Sequence, residues 1–138
     1  RDNYYLLLLE KSLSETQADT LVFSNEDFAN LSECTLKKMK QFLDKYCDKI
    51  EIVFYVRAPL SYARSAMSQS VKMGLRDYKD SNGLPFAKYK HILQTLNQVF
   101  GHNQINVRVF SKDSLPKGNV VLDFLSFLHL PPSVEIRF

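Results

Sequence analysis

The order of apolar and polar positions predicts helices that alternate with short strands along the whole chain. Helices are predicted from apolar residues spaced three and four apart, and strands from short apolar runs bounded by turn residues. In chain order, the pattern gives a helix over 3–18, a strand over 20–23, a helix capped at Ser32 or Thr35, a strand over 51–56, a helix from Pro59, a helix over 85–100, a strand over 105–110 and a last helix after Asn119.

This alternation is typical of the α/β fold class, with a three-layer, mainly parallel sheet flanked by helices. The run over 51–56 is apolar at nearly every position, which predicts a strand buried on both faces. Three strands form a narrow sheet whose outer edges need strands from elsewhere. We find neither a repeat nor a linker in the 138 residues, so the sequence predicts one domain over 1–138, and 77–83 is predicted to be a surface loop.

Composition narrows the class of protein. The chain is 45% hydrophobic and 24% charged, which is typical of a globular domain and excludes wholesale disorder. Its longest apolar run has six residues, 4–9, far short of the roughly 20 that a membrane span needs. The net charge of +3 suits an anionic ligand but is too small to indicate nucleic acid. Two cysteines thirteen positions apart, without a CxxC motif, indicate reduced thiols, and no metal is expected.

The end of the second predicted strand is the strongest candidate binding site. Arg57 stands between a buried strand and a helix that starts at proline, and ligands of open α/β sheets bind beyond the carboxyl ends of strands. A guanidinium beside the free N–H groups of a helix start, here near Leu60 and Ser61, is typical of phosphate or sulfate sites. Ser65, about one turn into the helix, adds a hydroxyl. The alternative is that Arg57 pairs with a carboxylate and Ser65 only packs.

These residues resemble the nucleotide 3′-phosphate segment of sulfotransferases. In that family a strand ends in Arg, usually followed by x-Pro, and a Ser comes eight positions after the Arg. Both contact the 3′-phosphate of 3′-phosphoadenosine 5′-phosphosulfate (PAPS), and Arg57 and Ser65 have the matching separation. The strand over 105–110 with the following apolar helix that contains Asp123, and the strand end over 21–26, also resemble bacterial sulfotransferase-like proteins.

The resemblance implies a P-loop-type fold and a reaction, which is the transfer of a sulfuryl group from PAPS to a hydroxyl or amine of a polysaccharide, another saccharide or a different acceptor. PAPS or its product, adenosine 3′,5′-bisphosphate, would be held by Arg57, Ser65 and Ser61. Glu26, after the first predicted strand, is the candidate general base, with capping of the next turn as its alternative role. An anionic acceptor could be steered by three further basic residues, Arg64, Lys72 and Arg76.

The sequence also departs from the family. The 5′-phosphosulfate loop, a glycine-containing turn with Lys or Arg and Ser or Thr, does not occur, because all four glycines are isolated. The chain starts at Arg1, so we expect a piece truncated at its N-terminus that does not turn over alone.

Two alternatives stay open beside the sulfotransferase interpretation. One is a non-catalytic binding or scaffold module on the same fold. Another is a different phosphate-binding enzyme, such as a nucleotide kinase relative.

A cytoplasmic location is expected, with the lumenal domain of a membrane-anchored, Golgi-type enzyme as the alternative. An open sheet edge predicts a possible homodimer.

Overall fold

A computed structural model of the chain describes residues 2–75 and 86–131. Within these residues, helices are combined with a small parallel sheet of two strands, an arrangement compatible with the α/β class. The helices are α1 (Asp2–Glu15), α2 (Glu33–Leu43), α3 (Pro59–Lys72), α4 (Tyr89–Phe100) and α5 (Val120–Phe127), and the strands are β1 (Ile52–Val56) and β2 (Ile105–Val109). Three short 3-10 helices, Glu26–Asn30, His102–Gln104 and Pro116–Gly118, lie between them.

The chain divides into two compact units. The first comprises Arg1–Ile52 and Lys90–Ile105, and the second comprises Val53–Tyr89 and Asn106–Phe138. In the first unit, α2 and α4 bury one apolar face each, because their apolar residues recur with the helical period. The buried residues of this core are Leu36, Leu96, Val99 and Phe100.

The register of the sheet determines which side chains of the second unit lie side by side. The N–H of Phe110 donates to the carbonyl of Val56 at 2.7 Å. In a parallel pair this bond aligns Val56 with Val109, and Arg57 with Phe110. Because side chains alternate between the two faces of a sheet, Arg57 and Phe110 project from the same face.

Several helix ends follow the sequence signals. The Ser32 hydroxyl accepts a hydrogen bond from the Thr35 N–H at 3.2 Å and so caps α2. Pro59 occupies the first position of α3. Gly74, just beyond α3, has a φ of +69°, in the left-handed region that glycine adopts at low cost. The helix predicted over 85–100 begins later, at Tyr89. The loop predicted over 77–83 lies outside the described residues.

The prediction of a strand over 20–23 is wrong. This segment makes no sheet hydrogen bond within the described residues, and Leu21, Val22 and Phe23 stay 44–51% exposed. An apolar run becomes a strand only where a neighbouring strand satisfies its backbone groups. The described sheet therefore has two strands instead of three. For the same reason β1 is half-buried along its length, since its second edge lacks a strand partner there.

The last helix, α5, ends at Phe127, four positions before Pro131. His129 adopts a left-handed φ of +56°. Its N–H donates to the Ser126 carbonyl at 3.1 Å, and the N–H of Leu130 donates to the Leu125 carbonyl at 2.9 Å. These two bonds form a Schellman motif in which a histidine holds the position that glycine usually takes.

Replacing His129 with glycine is expected to stabilise the protein by about 0.5–1 kcal/mol, because glycine adopts this conformation without the steric cost of a Cβ. Urea unfolding of His129→Gly beside His129→Ala measures the effect. Alanine keeps the Cβ, so that variant is expected to show no gain. A glycine variant less stable than the wild type would contradict the prediction.

No helix in the described part of the chain is both long enough and apolar enough to cross a lipid bilayer. The longest described helices, α1 and α3, have 14 residues each, which corresponds to about 21 Å.

Candidate anion-binding site

The Arg57 side chain lies at the carboxyl end of β1, over an aromatic ring. Its guanidinium carbon is 4.5 Å from the centroid of Phe110. This contact follows from the register, because the two residues come directly after aligned strand ends and share one face of the sheet. A guanidinium over the face of a ring is attracted by the ring's negative face, and its N–H donors can still bond elsewhere. Phe110 therefore helps to hold the guanidinium of Arg57 in place.

Arg57 has no carboxylate partner within residues 2–75 and 86–131. The ion pairs of this part of the chain involve other cations, which are Lys11, Lys37, Lys40, Lys49 and Arg108. The alternative in which a carboxylate neutralises Arg57 is thus not found among the described residues. A half-buried guanidinium in this state is suited to bind an anionic ligand in two-pronged fashion.

The start of α3 presents backbone donors directly after Arg57. Ala58 holds the N-cap position, and its side chain has no oxygen with which to cap the helix. Pro59 lacks an N–H group, so the first free donors are the N–H groups of Leu60 and Ser61. The helix dipole adds partial positive charge at this end. The arrangement favours an oxyanion in front of the helix.

Two serine hydroxyls extend the helix start. Ser61 and Ser65 are four residues apart on α3 and hence lie on one helix face, about 6 Å apart along the axis. Both residues are exposed, and neither hydroxyl bonds to another described residue. Because Cβ atoms tilt towards a helix N-terminus, the Ser65 hydroxyl is directed towards the first turn. Both hydroxyls are available to a ligand.

The three basic residues predicted to steer an acceptor differ in their distance from the start of α3. Arg64 and Lys72 are exposed on α3, and Lys72 is about 20 Å along the axis from Pro59. That distance separates Lys72 from a phosphate held at the helix start. Arg76 lies outside the described residues.

Glu26 is the first residue of the 3-10 helix Glu26–Asn30, in the first unit, and its side chain is exposed. The side chain that caps this turn is that of Asn25, which accepts from the Asp27 N–H at 2.7 Å. Capping is therefore done by Asn25 rather than by Glu26 or Asp27. The carboxylate of Glu26 keeps no described hydrogen-bond partner and is open to solvent.

An ionic cluster around the buried carboxylate of Asp123 was not predicted. Asp123 on α5 is 5% exposed and receives two bonds from Arg108, from Nε at 2.5 Å and from Nη2 at 2.6 Å. The Tyr55 hydroxyl donates to the same carboxylate at 2.7 Å. The hydrogen bonds from Arg108 hold the pKa of Asp123 below its usual range. Burial, with the bond to Asp123, raises the pKa of Tyr55 to about 12.

The sequence carried a signal for part of this arrangement. Tyr55 and Arg108 stand two positions before Arg57 and Phe110, so the alternation of each strand places Tyr55 with Arg57, and Arg108 with Phe110, on one face. The register of the two strands, which the structure shows, brings the two pairs to the same face. Tyr89, whose hydroxyl bonds to the backbone of Arg57, had no such signal. It lies 32 positions along the chain, and no local pattern relates the two.

Comparisons with known proteins give little further guidance. No protein-family model matches the chain, and no solved structure matches it. The chain is similar to an uncharacterized protein of Archaeoglobus fulgidus, with 31% identity over 108 residues. The match covers 78% of this chain but 30% of the archaeal protein, so the chain spans less than a third of its relative's length.

Proposed function

We propose that the chain provides the nucleotide 3′-phosphate site of a sulfotransferase-like enzyme that uses PAPS. One observation carries the proposal: Arg57 directly follows a parallel strand, lies over the ring of Phe110 and has no carboxylate partner among the described residues. The resemblance of the segment over 53–65 to the corresponding sulfotransferase segment supplies the identity of the ligand. We extend the proposal to the fold, a three-layer P-loop type.

The donors at this strand end suit a phosphate monoester. Such a group presents three oxygens and up to two negative charges. The guanidinium of Arg57 offers two parallel N–H donors to two of these oxygens. The N–H groups of Leu60 and Ser61, with the Ser65 hydroxyl, offer donors on the helix side. No metal ion enters this arrangement.

In the proposed reaction, the acceptor oxygen or nitrogen attacks the sulfur atom of PAPS. The bond between that sulfur and the bridging oxygen of the 5′-phosphate breaks, and adenosine 3′,5′-bisphosphate leaves. The proton of the acceptor passes to a general base, for which we propose Glu26. Arg57 and Ser65 act at the far end of the nucleotide, so their contribution is positioning and not stabilisation of the breaking bond.

A non-catalytic nucleotide-binding module is the second candidate function. The observation that favours it is the sequence itself, which has no glycine-rich turn for the 5′-phosphosulfate. Both candidates predict binding of the bisphosphate by these 138 residues. Only the enzyme predicts sulfuryl transfer to a saccharide or other acceptor, once a longer protein that contains this chain is assayed.

Titration calorimetry with three nucleotides tests the 3′-phosphate site. We expect adenosine 3′,5′-bisphosphate to bind about tenfold or more tightly than adenosine 5′-monophosphate, because charge-assisted hydrogen bonds to the extra phosphate each contribute roughly 1.5–3 kcal/mol. Adenosine 2′,5′-bisphosphate has the same charge with the phosphate misplaced, and serves as the matched control. Equal affinity for all three nucleotides would falsify the proposal.

A further inference from the structure

Both backbone polar groups of Arg57 bond to one side-chain hydroxyl. The Arg57 N–H donates to Tyr89 Oη at 3.1 Å, and the Tyr89 hydroxyl donates to the Arg57 carbonyl at 3.0 Å. A hydroxyl can accept and donate at the same time, so a single tyrosine satisfies both backbone polar groups of Arg57. A neighbouring strand is therefore not needed to bond these groups.

The sheet geometry explains why these groups are free to meet a side chain. The N–H and C=O of one strand residue point to the same side, and those of its neighbour point to the opposite side. The carbonyl of Val56 accepts from the N–H of Phe110, the residue directly after β2. The groups of Arg57 therefore point away from β2, towards the other edge of β1. At this edge the Tyr89 hydroxyl makes the hydrogen bonds that a neighbouring strand would otherwise make.

The ring of Tyr89 is itself held by two aromatic neighbours. Its centroid is 6.1 Å from that of Phe54 on β1 and 6.0 Å from that of Tyr62 in the first turns of α3, both in edge-to-face geometry. Tyr89 thus contacts the strand before Arg57 and the helix after it. These contacts fix where the hydroxyl lies.

We propose that Tyr89 is a positioning residue for the anion site, and this inference rests on the proposed 3′-phosphate function. By holding the Arg57 peptide groups, Tyr89 fixes the turn that joins β1 to α3. The guanidinium and the N–H groups of the helix start then converge on one ligand. Tyr89 itself does not touch the phosphate. Arg57 is held twice, at its backbone by Tyr89 and at its guanidinium by Phe110.

Replacing Tyr89 with phenylalanine tests this role, because the ring contacts stay and both hydrogen bonds are lost. We expect affinity for adenosine 3′,5′-bisphosphate to fall about five- to tenfold, as misplaced donors lose part of the charge-assisted bonding. Affinity for adenosine 5′-monophosphate is expected to stay unchanged. Tyr62→Phe is the matched control, since the Tyr62 hydroxyl bonds to no other described residue, and it is expected to bind both nucleotides like the wild type.

The outcomes distinguish a failure of this inference from a failure of the proposed 3′-phosphate function on which it rests. A wild type without preference for the 3′-phosphate overturns both. A wild-type preference that Tyr89→Phe retains, or an equal loss for both nucleotides, overturns only the role of Tyr89. Amide hydrogen exchange gives a second test that needs no variant. The Arg57 amide is expected to exchange slowly in the free protein and more slowly with the bisphosphate, and rapid exchange in both states contradicts the inference.

Discussion

Replacing Arg57 with alanine is expected to weaken binding of adenosine 3′,5′-bisphosphate roughly 30- to 150-fold. The substitution removes a two-pronged, charge-assisted contact worth about 2–3 kcal/mol. Folding should change little, since the side chain forms no ion pair with a described residue and rests on a single ring. Titration calorimetry measures the affinity, and thermal unfolding of the same samples measures the stability.

Two further variants show whether the loss comes from the guanidinium fork. Arg57→Lys keeps the charge but presents a single ammonium group, so we expect an intermediate loss of affinity. Lys38→Ala removes one positive charge from an exposed position on α2, in the first unit, and should leave affinity unchanged. If Lys38→Ala weakens binding as much as Arg57→Ala, net charge and not a defined site attracts the nucleotide.

Local signals predicted much of the secondary structure. The helix starts at Ser32 and Pro59, and the stop at Gly74, depend on hydrogen bonds and dihedral angles within a few residues, which the sequence displays directly. The segment over 20–23 has the same apolar character as a strand. Its state depends on a partner elsewhere in space, and no local pattern encodes that partner.

In the candidate site too, the residues with local sequence signals were predicted, and those that depend on distant contacts were not. Arg57, Ser61 and Ser65 were predicted because one strand end and one helix start place them within nine positions. Phe110 followed from register once the sheet was known. Tyr89 could not be predicted, because its role depends on a contact across 32 positions of sequence. Sequence therefore indicated which groups are chemically suited to an anion, and the structure showed what holds them in place.

Replacing Asp123 with asparagine is expected to destabilise the protein by about 2–4 kcal/mol. Removing one partner of a buried ion pair leaves the other charge without compensation, which costs roughly 3–5 kcal/mol when both groups are fully buried. Here the Arg108 side chain is 33% exposed and regains some hydration, so we expect a smaller loss. That loss is a large share of the free energy of unfolding of a whole domain, which is typically about 5–15 kcal/mol. Urea unfolding measures it.

The pKa shifts of Asp123 and Tyr55 determine the pH range over which their cluster stabilises the protein. The pKa of Asp123 is lowered in the folded state, so its contribution is present above the ordinary carboxyl pKa of 3.8 and is lost as the pH falls below it. The pKa of Tyr55 is raised from 10.0 to about 12, so its contribution is complete below pH 10 and is lost as the pH rises towards 12.

Stability measured against pH in the wild type and Asp123→Asn distinguishes these contributions. In the variant, the acid-side loss that belongs to Asp123 should disappear. The pKa of Tyr55 should move back towards 10 yet stay above it, because burial is the largest cause of its shift and persists. Glu33→Gln is the matched control, because it breaks the exposed pair with Lys37 at 2.6 Å and should cause no measurable loss. Equal losses in the two variants would mean that the Asp123 cluster stabilises the protein no more than a surface pair.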